Sequence, residues 1–219
     1  MKHVLKSIVM SSTYQQSSTV DASKQQADPE NRWLARGPRF RMDAEMIRDN
    51  ALAMAGLLSL HKYGPSIYPF QPAGIWSKIG GQAYDYQVSP GSEQYRRGIY
   101  VIHKRGSPYP SFVNFDASSR LACTVKRSRT NTPLQSLTLL NDPVYVAAAQ
   151  ALAERVQKAR ADATLDEQLG YAFQVCTARS PSFNELATLK GLFADQPVEK
   201  AWYSACAVLL NLHETITKD

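Results

Sequence analysis

Arginines in the middle of the chain are the residues best suited to chemistry. Residues 32–129 hold fifteen Lys and Arg against six Asp and Glu, while the whole 219-residue chain carries a net charge of +6. A guanidinium is a planar fork of donors that matches carboxylate, sulfate or phosphate, so arginines converging on one cleft would hold an anionic ligand in a fixed orientation. The predicted anion-binding residues are Arg36, Arg39, Arg41, Arg96, Arg97, Arg127, Arg129, Thr130 and Asn131.

A structural role competes with this interpretation. Acids such as Asp43, Glu45 and Asp49 are available to pair with the arginines, and irregular backbone needs polar anchors because no ladder of hydrogen bonds satisfies it. The segment 127–131 also stands just before a predicted helix start at Thr132. Free N–H groups and the helix dipole favour an anion at such a place. The alternative there is a capping loop whose threonine and asparagine side chains satisfy the helix start, and the sequence is compatible with both.

One histidine is a candidate general base. His103 lies on a predicted strand beside Lys104, and Asp43 or Asp116 would be its acidic partner. The alternative is a structural histidine, which is the commoner role for a lone histidine. The sequence contains no G-x-S-x-G, H-E-x-x-H, P-loop or G-x-G-x-x-G motif. Nucleophilic, zinc-peptidase, NTPase and dinucleotide-binding activities therefore have no motif to carry them.

Cysteine spacing and hydropathy narrow the class of protein further. Cys123, Cys176 and Cys206 are widely spaced and form no C-x-x-C or C-x-x-C-H motif, so no metal site or haem attachment is predicted, and all three are expected to be buried. No apolar stretch reaches the ~18 residues of a membrane span, and the N-terminus lacks the apolar core of a signal peptide. The basic residues are interleaved with proline, glycine and apolar residues, which disfavours nucleic acid as a partner.

Helical periodicity dominates the rest of the chain. Apolar residues repeat every three or four positions over 42–60 and predict an amphipathic helix. After residue 130, three capping-box spacings each precede a periodic apolar stretch, at Thr132–Gln135, Thr164–Glu167 and Ser182–Glu185. Proline at the first helical position also predicts helix starts at Pro29 and Pro143. The other predictions are a helix over 2–12, a loop over 11–24 and a last helix over 198–213.

Two short segments have the composition of strands. Gly98–Lys104 is β-branched and aromatic, and a second strand is predicted at Phe112–Phe115. Residues 61–95 carry several prolines, the Gly80–Gly81 pair and many aromatic residues, Tyr84 among them. Such a segment is expected to be irregular, with rings that are buried or line a surface. The predicted fold class is mainly α, a single irregular helical domain over residues 1–219 with a small β element around residues 98–115.

Five blocks of sequence, in order along the chain, resemble the planctomycete PSD domain family (DUF1553). They are NRWLARGPRFRMDAEMIRDNAL (31–52), GPSIYPFQPAGIWSKIGG (64–81), YRRGIYVIHKRGSPYPSFVNFDASSR (95–120), CTVKRSRTNTPLQSLTLLNDP (123–143) and LLNLHETITKD (209–219). The resemblance implies the C-terminal part of a larger protein that carries a signal peptide, a companion domain and often a cytochrome-c-like domain. No haem is expected in this chain, because the cytochrome-like domain and its C-x-x-C-H motif are absent from it.

The resemblance also implies a periplasmic or cell-envelope setting and an association with polysaccharide handling, but it brings no reaction and no catalytic residue. Two hypotheses follow. The first is a binding or structural module whose basic, aromatic-lined middle segment engages an anionic or sulfated glycan or the N-terminal companion domain. The second is a carbohydrate-active enzyme, hydrolytic in kind, that uses His103 with Asp43 or Asp116. Arginines that are each engaged by an acid favour the module, whereas unpaired arginines around a closed pocket with His103 favour the enzyme.

Overall fold

A computed structural model describes residues 1–76 and 85–218 of the chain. Helices dominate this part of the chain, and they are α1 (Lys2–Val9), α2 (Ala22–Ala27), α3 (Ala44–Ala55), α4 (Pro110–Asn114), α5 (Pro133–Asn141), α6 (Pro143–Ala159), α7 (Leu165–Thr177), α8 (Phe183–Gly191), α9 (Val198–Leu210) and α10 (His213–Ile216). Two strands, β1 (Phe40–Arg41) and β2 (Thr217–Lys218), pair in antiparallel register, with Phe40 opposite Lys218. The predicted mainly α class is confirmed.

The chain divides into a smaller unit, Met1–Met42 with the residues from Ile216 onward, and a larger unit, Asp43–Thr215. In the larger unit α6 is the central helix and packs against α3 and α9. Ala44 on α3, Ala148 on α6 and Ala205 on α9 are fully buried, and small side chains of this kind allow packed helices to approach closely. Leu152 and Val156 on α6 complete the buried core.

Local sequence signals explain where the helices after residue 130 begin. The Asp142 carboxylate accepts a hydrogen bond from the Val144 N–H and caps α6, with Pro143 in the first turn. Both residues of the predicted box are hydrogen-bonded at Thr164–Glu167 before α7 and at Ser182–Glu185 before α8. The predicted box at Thr132 is wrong, because the Thr132 hydroxyl makes no capping hydrogen bond. Instead, the Gln135 side chain donates to the Thr130 hydroxyl at 3.0 Å.

The predicted β element around residues 98–115 is also wrong. Gly98–Tyr100 is a turn of 3-10 helix, and Pro110–Asn114 is α4 with its proline in the first turn. Within the described residues, the only β-type backbone pairing of this region is an isolated bridge between Ile67 and Val101. Both residues are buried, so Val101 is a case of a β-branched residue that is buried without strand pairing.

Two predictions near the N-terminus fail for local reasons. The predicted helix from Pro29 is a series of turns, in which the Asp28 carboxylate accepts the N–H groups of Arg32 and Trp33, both at 2.8 Å. Asn31 has a φ of 51° and Leu34 a φ of 54°, which ends any right-handed helix. Conversely, α2 begins within the last residues of the predicted loop 11–24 and extends beyond it, and the Asp21 carboxylate caps it by accepting the Lys24 N–H.

The three cysteines differ in their exposure. Cys176 and Cys206 are buried as predicted, but Cys123 is exposed, so the prediction for that residue is wrong. Within the described ranges, no helix is both long and apolar enough to cross a membrane. Gly80, Gly81 and Tyr84 lie outside the described residues.

Candidate functional site

A groove of about 380 Å³ runs along the first turns of α3 in the larger unit. Its walls come from α3, from the segment 97–103 and from the loop that follows α4. The residues that line it are Asp43, Glu45, Met46, Asp49, Arg97, Gly98, Ile99, Val101, His103, Phe112, Arg120 and Arg127. We call this cleft the α3 groove. It gathers three acids, three arginines and a histidine that are distant in sequence.

Gly98 allows the segment 97–103 to approach α3 closely. A Cβ atom placed on this glycine would lie 3.0 Å from the Cα of Glu45, which is tighter than ordinary packing. The Gly98 N–H donates a 2.6 Å hydrogen bond to the Asp49 carboxylate. The absence of a side chain and this hydrogen bond together fix one wall of the groove against the helix.

Carboxylates and guanidinium groups are paired along the α3 groove and at its edge. Arg127 binds Glu45 through two parallel hydrogen bonds, at 2.6 and 3.0 Å. Arg97 contacts Asp49 at 3.5 Å, and its side chain remains 60% exposed. At the edge of the groove, Arg129 lies 4.0 Å from Asp43. The acids of this region therefore already neutralise much of the positive charge that the sequence concentrates here.

The pKa values of Glu45 and Asp49, the two acids nearest to these arginines, are shifted in opposite directions. Burial alone would raise the pKa of Glu45, but the hydrogen bonds from Arg127 and from its own backbone, together with the charges of Arg127 and Arg120, outweigh it, so the pKa lies below its ordinary value. Burial raises the pKa of Asp49 above its ordinary value, although the Gly98 N–H and the nearby arginines oppose this shift. Glu45 thus holds its proton less tightly than an ordinary glutamate, whereas Asp49 holds its proton more tightly than an ordinary aspartate.

Arg120 differs from the other arginines of the α3 groove. Its side chain is exposed, and no ion pair links it to any of the residues that the structure describes. It acts on Glu45 only as a nearby positive charge. Its backbone has a φ of 57°, an uncommon conformation for a residue with a side chain. Arg120 and Arg97 therefore present the most accessible cations of the groove.

The predicted catalytic candidates are only partly brought together. His103 and Asp43 both line the α3 groove, and the His103 ring nitrogen Nε2 lies 3.3 Å from the Ser119 carbonyl oxygen. Asp116 does not line the groove. Its carboxylate accepts hydrogen bonds from the N–H and the hydroxyl of Thr130, the shortest at 2.7 Å. Among the described residues no cluster of His, Cys, Asp and Glu is arranged to hold a metal ion.

Arg96, predicted to bind anions, is buried and anchors irregular backbone. Its guanidinium group donates to the carbonyl oxygens of His61, Tyr63 and Pro65 and packs over the Tyr100 ring. A side chain that is only 1% exposed and has these partners has no donor directed at a ligand.

Arg48, which is not among the residues predicted from the sequence, has a similar role. It is fully buried and donates to the carbonyl oxygens of Gln94, at 2.5 Å, and Arg96, at 2.7 Å. A signal for it existed, because Arg48 lies four residues after Ala44 and three before Ala51, on the face of α3 that is buried.

The remaining predicted anion-binding residues are divided between the two units. Arg36, Arg39 and Arg41 belong to the smaller unit, where Arg36 donates to the carbonyl oxygens of Asp28 and Pro29. Arg39 and Arg41 also have interaction partners. Thr130 is bound to Asp116. Asn131 lies two residues before the start of α5 and has a partner as well.

Three aromatic residues of the segment 61–95 form a cluster, whereas Tyr63 and Phe70 in the same segment are 83% and 47% exposed. Tyr68, Trp76 and Tyr86 meet edge to face, with ring centroids 4.9 to 6.1 Å apart. The Lys104 ammonium lies over the Trp76 ring at 4.8 Å, and Trp76 is buried. These rings therefore stabilise the irregular segment through their packing.

Comparison with known proteins places the chain in a family. No curated protein and no solved structure gave a match. The sequence model of PSD1, described as a protein of unknown function (DUF1553), matches residues 1–193. The match does not extend to the block 209–219, the last of the five blocks that resemble the family. Because the match covers most of the 219 residues, the chain belongs to the PSD1 (DUF1553) family.

Proposed function

We propose that this domain is a non-catalytic, envelope-associated binding module that holds an anionic glycan in the α3 groove. The observation that carries the proposal is the presence of two accessible guanidinium groups, Arg97 and Arg120, on a groove that also presents carboxylates. The envelope setting and the glycan class come from the family resemblance. The groove supplies the chemistry that such a ligand requires.

The chemistry of a sugar acid matches the groups along the groove. Sugar hydroxyls act as donors and acceptors at once, so they fit a surface where carboxylate oxygens alternate with guanidinium N–H groups. A sulfate or uronate group requires a charged fork, and Arg120, which has no ion-pair partner among the described residues, supplies one. Met46 and Ile99 line the same groove and are 47% and 77% exposed, which suits the apolar C–H face of a sugar ring.

The pairing of the arginines favours a module over an enzyme. Arg127, Arg129 and Arg97 each have an acidic partner, and Arg96 and Arg48 are anchored on backbone carbonyls. The Asp116 carboxylate accepts hydrogen bonds from Thr130. A catalytic cleft would instead be expected to hold an acid or base whose donors and acceptors face the substrate.

Calorimetry with a chondroitin sulfate oligosaccharide, which carries both uronate and sulfate groups, tests the proposal. We expect binding that weakens with added salt, because exposed charges are screened, and no binding of a neutral maltooligosaccharide. The double variant Arg97→Gln with Arg120→Gln should lose binding without a large change in melting temperature. The double variant Lys158→Gln with Lys200→Gln removes the same charge from exposed sites on α6 and α9 and should bind normally. Equal losses in both variants would contradict a site in the groove.

An enzyme that cleaves glycans remains the second candidate, because His103 and Asp43 line the same groove. This function requires the appearance of new reducing ends when an anionic polysaccharide is incubated with the protein. His103→Gln should abolish that activity and leave binding of the oligosaccharide unchanged. Binding without turnover in the unmodified protein would favour the module.

Contact with a companion domain is a further part of the proposal. The apolar residues of the larger unit best suited to such a contact are Leu134, Leu137 and Leu140, which are 53%, 54% and 39% exposed. They follow one another at intervals of three residues along α5 and so share one side of the helix.

A further inference from the structure

Helix α1 is amphipathic, yet none of its eight residues is buried. Its apolar residues Val4, Leu5, Ile8 and Val9 recur at helical spacing and are 56%, 54%, 50% and 42% exposed. Met10 extends the stripe and is 63% exposed. A helix of two turns is marginal in water without packing. The apolar stripe of α1 would therefore be buried only if it packed against a further apolar surface, beyond the contacts it makes with the described residues.

The charges of this region indicate the chemistry of that surface. The polar residues of α1 include Lys2, His3 and Lys6, and residues 1–20 contain no Asp or Glu. Residues 1–42 as a whole carry seven Lys and Arg against three Asp and Glu. Two copies of the chain brought together at this stripe would place like charges near each other. A partner surface with an apolar interior and anionic groups at its edge would bind the stripe without this repulsion between like charges.

We propose that α1 binds peripherally to an anionic lipid bilayer. The stripe of Val4, Leu5, Ile8 and Val9 enters the boundary between head groups and acyl chains, while Lys2 and Lys6 contact the lipid phosphates. Basic amphipathic helices with modest overall hydrophobicity bind membranes in this way. With eight residues, α1 is about 12 Å long, which is too short to span a bilayer and suits a helix that lies in its plane.

Co-sedimentation with vesicles tests this proposal on the whole chain. The probes are vesicles of phosphatidylglycerol mixed with phosphatidylcholine, and vesicles of phosphatidylcholine alone. The variant Leu5→Gln with Ile8→Gln removes the apolar stripe, and Lys2→Gln with Lys6→Gln removes the charge. The matched control is Val198→Gln with Val208→Gln, since these valines on α9 are 60% and 43% exposed and belong to no proposed binding surface.

The unmodified protein should bind the mixed vesicles and bind phosphatidylcholine much more weakly, and added salt should reduce the binding. Losing each apolar side chain should lower partitioning about tenfold or more, and losing each lysine about fivefold on the anionic vesicles. The α9 control should partition like the unmodified protein. Equal binding to both kinds of vesicle, or an equal loss in the control, would overturn the proposal. So would absent vesicle binding together with a dimer that Leu5→Gln with Ile8→Gln dissociates, because the occupant would then be a second copy.

Discussion

Replacing Arg48 by methionine tests whether buried arginines support the irregular segment beside α3. Methionine keeps the unbranched stem of the side chain but removes every donor. The carbonyl oxygens of Gln94 and Arg96 would then lose hydrogen bonds of 2.5 and 2.7 Å. Asp49, half-buried beside Arg48 at 3.8 Å, would lose a neighbouring positive charge.

The expected magnitude follows from these losses. A buried carbonyl left without its donor costs about 1–3 kcal/mol, so two of them cost about 2–6 kcal/mol. Because the variant no longer buries a guanidinium group, part of that cost is offset. We expect a net loss of about 3 kcal/mol in the free energy of unfolding. For a chain of this size, that corresponds to a fall of about 6–12 °C in melting temperature.

Urea denaturation followed by circular dichroism measures the change, with Arg97→Met as the matched control. Arg97 contacts the same Asp49 carboxylate at 3.5 Å, but its side chain is 60% exposed, so the control should lose less than about 1 kcal/mol. If Arg48→Met stays within about 0.5 kcal/mol of the unmodified protein, or if both variants lose equally, the anchoring role of Arg48 is refuted.

Two further predictions concern pH and helix capping. Burial would raise the pKa of Glu45, but hydrogen bonds and charges, chiefly those of Arg127, hold it below its ordinary value near 4.5. This pair therefore stabilises the fold above that pH, and the stabilisation is lost as the pH falls through the lowered pKa. The acid limb of a stability curve should be flatter in Glu45→Gln, and an unchanged limb would count against the pair. Thr164→Ala removes an observed capping box and should lower the free energy of unfolding by about 1 kcal/mol. Thr132→Ala should lower it less, because the Thr132 hydroxyl makes no capping bond. Equal losses of stability in thermal melts would show that N-cap position alone sets the cost.

The helical part of the fold was predictable because its signals are local. An aspartate before proline, or a threonine followed three residues later by glutamate, satisfies free N–H groups with side chains that are close in sequence, as at Asp142 and Thr164. At Thr132 the box does not form, since the Gln135 N–H donates to the Thr132 carbonyl oxygen and the Gln135 side chain to the Thr130 hydroxyl. The strand prediction failed because β-branched residues such as Val101 are selected for burial in many environments.

The site was less predictable because its contacts are distant in sequence. The Arg127–Glu45 pair joins residues 82 positions apart, and Arg48 reaches carbonyl oxygens 46 and 48 positions away. Composition indicated that arginines would matter between residues 32 and 129. It did not separate those that anchor backbone from Arg120, which is exposed beside the groove, since burial distinguishes them and burial is set by the whole fold.

The short pairing of β1 with β2 has a topological consequence. Met42 donates a 3.0 Å backbone hydrogen bond to Ile216, so the chain enters and leaves the segment Asp43–Thr215 at adjacent points. A segment with neighbouring ends can be circularly permuted through a short linker, or inserted into a surface loop of a host protein, without stretching its backbone. The α3 groove, which lies wholly within Asp43–Thr215, would travel intact with such a graft.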